Sequence, residues 1–149
     1  MTKLYLDACC INRPFDDQTQ DRIRVESEAV LLIMSHVEAH EWEWVSSEVL
    51  DFEVWRAPDR DRSRRVAALI SFAGARIPVE ADIVKRAQGL EALGFQAYDA
   101  LHIACAEAGG VDVFLTTDDR LLRLAARNAT AVGVRVDNPL QWLQEVIIG

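Results

Sequence analysis

Cysteine is scarce in this chain: three in 149 residues, two of them adjacent (Cys9, Cys10) and the third at Cys105. An odd count with an adjacent pair excludes a disulfide framework, and no C-x-x-C spacing points to zinc. The thiols read as small buried hydrophobes in a reducing compartment. Long apolar runs are also missing, and none approaches the ~20 residues of a membrane span. The N-terminus enters Leu4-Tyr5-Leu6 after a single Lys3, unlike a signal or transit peptide. A cytoplasmic protein with no membrane partner is the expectation. There is no internal repeat and no Gly/Ser/Pro-rich linker, so residues 1–149 are expected to form one domain. Positive charge is in deficit, 16 Lys and Arg against 24 Asp and Glu, for a net charge of −8. That balance excludes a protein holding nucleic acid by bulk charge. It leaves open one that cuts nucleic acid at an acidic metal site, because a bound cation inverts the local field.

What is present is an alternation of strand and helix. Half the residues are apolar, enough for a core without staples. Short apolar runs at Leu4–Leu6, Trp44–Ser46, Arg76–Val79, Val113–Leu115 and Val132–Val136 predict five strands. Between them, helical spacing predicts helices over Asp21–His40, Glu48–Arg56 (capped by Ser47), Ser63–Ala73, Asp82–Leu93, Asp99–Ala108 and Asp119–Asn128, with a closing helix over Leu140–Val146. Strands alternating with helices pair in parallel through right-handed crossovers. The expected class is α/β: three layers around a central, mainly parallel five-stranded sheet. Ligands of such folds bind at the carboxyl ends of the strands.

Four acids fall at or near those ends. Asp7 follows the first strand, and Asp118 follows the fourth after Thr116-Thr117. Glu53 lies in the helix after the second strand, and Asp99 opens the helix leading to Gly109. Asp99 and Asp118 each have an ordinary role available, as a helix-dipole acid and an N-cap. Asp7 ends a strand before no obvious helix. Like charges repel at close range, so four acids meeting at one edge need a cation, and hard oxygen donors suit Mg²⁺ or Mn²⁺.

At these residues the sequence resembles the PIN domain family, which includes the VapC-like toxins. Leu4-Tyr5-Leu6-Asp7 is similar to the family's opening strand and first acid. Ser47-Glu48-Val49-Leu50-Asp51-Phe52-Glu53 resembles its second junction, Asp99-Ala100-Leu101-His102-Ile103-Ala104 its third motif, and Phe114-Leu115-Thr116-Thr117-Asp118 its fourth. The resemblance implies an endoribonuclease dependent on Mg²⁺ or Mn²⁺, acting on RNA, with a cognate antitoxin and a homodimer as expected partners. It implies catalytic roles for Asp7, Glu53, Asp99 and Asp118, with Asp7, Asp99 and Asp118 as metal ligands and Glu53 as ligand or base. Asn12 and Thr116 would position phosphate or water. Glu48 and Asp51 compete with Glu53, and Asp119 with Asp118. Ala8, Cys9 and Cys10 stand where small hydroxyl residues often follow the first acid.

Around the acids, Arg56 to Arg65 form a basic stretch, from which Arg60 and Arg64, with Arg13 from the loop Asn12–Phe15, are candidates for RNA contact. A solvated helix end paired to Asp59 and Asp61 explains the stretch equally well. His102 shares a helix face with Asp99 and reads as a packed or hydrogen-bonded histidine. The four tryptophans are too scattered for a base-stacking platform and are assigned to core or subunit packing. Two other classes compete: a non-cleaving PIN-like module that binds RNA or protein, and another metal-dependent phosphohydrolase. A haloacid-dehalogenase-type phosphatase wants Asp-x-Asp where this chain has Asp7-Ala8-Cys9. A receiver domain wants a Lys that Val136-Asp137-Asn138-Pro139 does not offer.

Overall fold

In the computed structural model, which describes residues 1–148, the strands are β1 (Thr2–Leu6), β2 (Trp42–Ser47), β3 (Ala75–Ile77), β4 (Val113–Leu115) and β5 (Arg135–Asp137). The helices are α1 (Ala8–Asn12), α2 (Asp21–Glu38), α3 (Glu48–Arg56), α4 (Arg60–Ile70), α5 (Ala81–Glu91), α6 (Ala97–Ala108), α7 (Asp119–Arg127) and α8 (Pro139–Ile148), with a 3-10 turn at Arg13–Phe15. The sheet order is β3-β2-β1-β4-β5 and every pairing is parallel. The strand order reverses at β1, and the crevice beside such a switch is where α/β sheets bind ligands.

Both faces of the sheet are covered, so its central strands are apolar throughout and still alternate. Leu4, Leu6, Trp44, Val113 and Leu115 face one layer with Val30 and Ile33 of α2, Trp142 of α8 and Val66 of α4. Tyr5, Val45 and Phe114 face the other with Leu90, Ile103 and Leu121 of α5, α6 and α7. Tyr5 stacks on Phe114 at 5.3 Å between centroids. α3 bridges the two layers, sending Leu50 and Val54 into the first and Val49 into the second.

Three expectations are corrected. The loop after Asp7 is helical: Asp7 accepts from the Ala8 amide at 2.8 Å and caps α1, and the 3-10 turn follows. The helix expected from Ser63 begins at Arg60, because Asp59 caps it by accepting from the Arg62 amide at 3.1 Å, and it ends at Ile70. The fifth strand is Arg135–Asp137 rather than Val132–Val136, because the Val132 amide is held in the turn leaving α7 by the Asn128 carbonyl. Among the described residues, no helix is long and apolar enough to cross a membrane.

Candidate functional site

Register sets the first half of the site. Leu6 pairs with Leu115, so the residues that follow, Asp7 and Thr116, emerge side by side at the sheet's carboxyl edge. The Thr116 hydroxyl donates to Asp7 Oδ2 at 2.9 Å and accepts from the Asp118 amide at 3.1 Å. One buried hydroxyl thus ties the two strand-end acids together. Asp7 is only 6% exposed. Asp118 is exposed and caps α7 through Oδ1, which accepts from the Arg120 and Leu121 amides. Its Oδ2 has no hydrogen-bond partner among the described residues.

The other half is held by a chain of hydrogen bonds through the core. Ser47 caps α3, its Oγ accepting from the Leu50 amide at 3.1 Å. Ser47 Oγ lies 2.6 Å from the Tyr5 hydroxyl, which lies 2.6 Å from His102 Nδ1. His102 Nε2 lies 2.8 Å from Glu53 Oε2. A carboxylate only accepts, so Nε2 carries the proton and donates to Glu53. With a neutral ring, Nδ1 accepts from Tyr5 and Tyr5 accepts from Ser47, so every group is satisfied. Burial opposes charge on His102, but the bond to Glu53 and the nearby Asp7, Glu53 and Asp99 raise its pKa above the ordinary value. Burial pushes the Tyr5 phenol up, so it stays protonated.

Asp99 sits one helical turn before His102 on α6, half-buried, with no hydrogen-bond donor to its carboxylate among the described residues. Burial first, then the charges of Asp7, Asp118 and Glu53, raise its pKa to about 6, with His102 pulling the other way. Asp99 thus lies within electrostatic reach of the other three predicted acids. No group of three His, Cys, Asp or Glu side chains among the described residues is arranged to hold a metal as it stands. The donor set nevertheless fits a hard divalent cation. It offers a surplus of negative charge, carboxylate oxygens on Asp99 and Asp118 without a hydrogen-bond partner among the described residues, and one acid pushed toward protonation by burial first and by its acidic neighbours second.

Two of the three competing acids are engaged elsewhere. Asp119 forms a two-pronged bridge to Arg22 at 2.7 and 2.8 Å, Asp51 pairs with Arg76 at 2.6 Å, and Glu48 is exposed. Asn12 and Glu53 line one cleft of about 200 Å³ with Ala8 and Arg62, while the Asn12 amide donates to the Ala8 carbonyl. The Thr116 hydroxyl is spent on Asp7 and Asp118. Arg13 is tied to Glu26 at 2.9 Å and Asp16 at 3.2 Å. Arg60 and Arg64 line a groove of about 420 Å³ beside Trp55. Cys10 and Cys105 are buried as expected, whereas Cys9 is half-buried with its thiol 3.5 Å from Asp7 Oδ2.

Sequence reasoning missed the polar roles of Tyr5 and Ser47, whose types gave no signal in an apolar strand and a cap. It also missed Glu26, which is 2% exposed and accepts from Arg13, Arg22 and Asn138. Of the four tryptophans, Trp44 and Trp142 are buried in the core and Trp42 packs edge-on to Trp142, whereas Trp55 is 65% exposed and lies outside the core.

The PIN domain model matches residues 4–127. No curated protein matches the chain in sequence. Among solved structures it is similar to VapBC2 from Rickettsia felis, determined with a DNA fragment from their promoter. That match has a TM-score of 0.57 at 13% identity and covers 92% of this chain and 98% of that one. It is similar also to PAE2754 from Pyrobaculum aerophilum, with a TM-score of 0.56 at 16% identity, covering 99% of this chain and 91% of that one.

Proposed function

This chain belongs to the PIN domain family, whose members are generally nucleases, and we propose that it is a Mg²⁺- or Mn²⁺-dependent endoribonuclease. One observation carries the proposal: Thr116 ties Asp7 to the Asp118 amide at the strand ends, and Asp99, half-buried without a donor among the described residues, lies within reach of both their charges. Asp7, Asp99 and Asp118 would hold the ion. When bound, it supplies Lewis-acid stabilisation of charge on the phosphate and on the leaving oxygen.

The protein's own groups do the rest. Thr116 fixes the rotamer of Asp7, and the α7 cap fixes Asp118. His102 holds Glu53 by Oε2, leaving Oε1 free among the described residues to take the proton of the attacking water. Water adds to phosphorus as the bond to the leaving sugar oxygen breaks. Asn12, beside Glu53 in the same cleft, is placed to meet a phosphate oxygen or that water.

The likeness in fold to VapBC2 supports extending the proposal to partners. As the toxin of a type II pair, the chain would be inhibited by a cognate antitoxin, and a homodimer is part of the same reading. The lack of a ready-made metal cage among the described residues favours a second reading, a non-cleaving binding module. One experiment separates the two. Purified protein should cut RNA with Mg²⁺ or Mn²⁺, lose the activity in EDTA, and lose it in Asp7→Asn, where asparagine still caps α1. Cleavage that survives EDTA or Asp7→Asn refutes the proposal. RNA binding without cleavage under every ion tested establishes the binding module instead.

A further inference from the structure

We propose that Arg120, Arg123 and Arg127, a stripe along α7, form the track on which the phosphodiester backbone of single-stranded RNA lies as it leaves the acidic site. The inference rests on the RNA-cutting reading above and adds where the strand runs.

Spacing comes first. Residues 120, 123 and 127 fall within about 60° of arc on a helix and span about 10 Å along its axis. All three are exposed, while Leu121 and Ala125 turn the roughly opposite face of α7 into the core. The stripe is thus fixed facing outward by packing.

Charge is the second observation. In a chain with net charge −8, eight of the sixteen Lys and Arg side chains pair with a carboxylate among the described residues. Arg22, Arg62, Arg76, Arg86 and Arg135 are among them. Arg120, Arg123 and Arg127 make no ion pair among the described residues, although Arg123 lies within electrostatic reach of Asp119. Asp119, the nearest acid in sequence, is already taken by the two-pronged bridge to Arg22.

Position is the third. Arg120 lines one notch with Asp99 and Asp118, so the stripe begins at two of the proposed metal ligands and leads away from them. A phosphate at those acids has its neighbour within reach of Arg120. Guanidinium forks suit phosphate oxygens, and a row at one per helical turn suits a polyanion better than a single acidic side chain. Backbone contacts of this kind position a strand without reading its sequence.

The test measures affinity for a fluorescein-labelled single-stranded oligoribonucleotide by anisotropy across a salt series, in the Asp7→Asn background so that RNA stays intact. Each phosphate contact on a single strand contributes about 0.7 to the slope of log K against log salt. The triple variant Arg120→Gln/Arg123→Gln/Arg127→Gln should bind more than about tenfold more weakly and lower that slope by about 2. Arg127→Gln alone, far from the site, should lower it by about 0.7 and guards against a misfolded triple variant. Arg24→Gln and Arg65→Gln, whose side chains pair within their own helices, should change nothing. An unchanged slope in the triple and in Arg127→Gln, with RNA still bound, overturns the inference. Binding of poly-glutamate that is lost in the triple, with the RNA slope unchanged, overturns it in favour of an acidic protein partner. If neither the Asp7→Asn parent nor the wild-type protein with Mg²⁺ binds RNA, the RNA-cutting reading has failed before the stripe is tested.

Discussion

Glu53 Oε2 and His102 Nε2 stand 2.8 Å apart, joining a helix that follows β2 to the helix that carries Asp99. His102 is 1% exposed, so the bond anchors a half-exposed carboxylate to the core. Behind it, Tyr5 and Ser47 complete a chain that ends at the α3 cap. The base of the proposed reaction is therefore set by the same hydrogen bonds that start its helix.

His102→Leu removes the donor to Glu53 and one of the two hydrogen-bond partners of the Tyr5 hydroxyl. It should lower stability by about 1–3 kcal/mol, the cost of the lost hydrogen bonds. It should also lower kcat at least tenfold with KM little changed, because a loosened base affects the chemical step. His102→Gln, whose amide can still donate to Glu53, should recover part of kcat. Steady-state kinetics on a labelled RNA checks this. If kcat in His102→Leu equals wild type while only Tm falls, the chain is structural and Glu53 does not need it.

Asp118 and Asp119 are adjacent and chemically alike, and the structure separates them. Asp119 is exposed and bound to Arg22, which lowers its pKa. Asp118 Oδ2, beside Asp99, has no hydrogen-bond partner among the described residues. Asp118→Asn should abolish cleavage and leave Tm almost unchanged, since asparagine caps as well as aspartate. Asp119→Asn should keep activity and cost a little stability that high salt removes from the wild type too. The reverse pattern in a cleavage assay moves the ligand to Asp119.

Much of this was legible from order and spacing. The sequence predicts α3 over Glu48–Arg56 and β4 over Val113–Leu115, and both have those bounds, because a serine cap and a three-residue apolar run between turn residues leave few alternatives. The placing of Asp7 and Asp118 after the adjacent parallel strands β1 and β4 was legible in the sequence, but the choice among neighbouring acids was not. Nothing in the sequence says that Asp119 is taken by Arg22, 97 positions away. α1 escaped because five residues are too few for a helical period to declare itself. Tyr5 read as an apolar strand residue, and its hydroxyl found a partner only through the β1–β2 pairing and the α6 crossover.

Glu26 shows the same blindness, and it gives a stability prediction. On sequence it is one more acid on a long helix. In the fold it is buried and takes bonds from Arg13 at 2.9 Å, Arg22 at 3.2 Å and Asn138 at 2.7 Å. Asn138 in turn accepts from the Leu140 amide at the start of α8. Glu26→Ala leaves the buried Asn138 amide and the Arg13 Nε without their acceptor, while Arg13 keeps Asp16 and Arg22 keeps Asp119, and should cost about 1–3 kcal/mol. Chemical denaturation should show the loss as a lower midpoint at similar slope. A change below about 1 kcal/mol means that the network contributes no more than surface pairs do.

Asp99 gives the prediction that links stability to pH and to metal. Its carboxyl titrates near 6 in the folded protein and near 3.8 in an ordinary setting, raised by burial and by Asp7, Asp118 and Glu53. Between those values the folded chain holds a proton that the unfolded chain has released, so stability falls as pH rises from about 4 to about 6 and then levels off. At neutral pH without divalent ions the cost is present in full, about 1 kcal/mol once solvent screening of a half-exposed group is allowed for. Asp99→Asn should therefore melt higher than wild type at pH 7 in EDTA, and the gap should close by pH 4. A bound divalent cation reverses the sign, because it favours the ionised acid and expels the proton. Adding Mg²⁺ at pH 7 should raise the wild-type Tm, leave Asp99→Asn nearly where it was, and give a cleavage rate that climbs with pH through the ionisation of Asp99. Thermal melts across pH, with and without Mg²⁺, decide it. Equal Mg²⁺ shifts in both proteins, or a gap that persists at pH 4, would show that the charge crowding at Asp99 is not what the ion relieves.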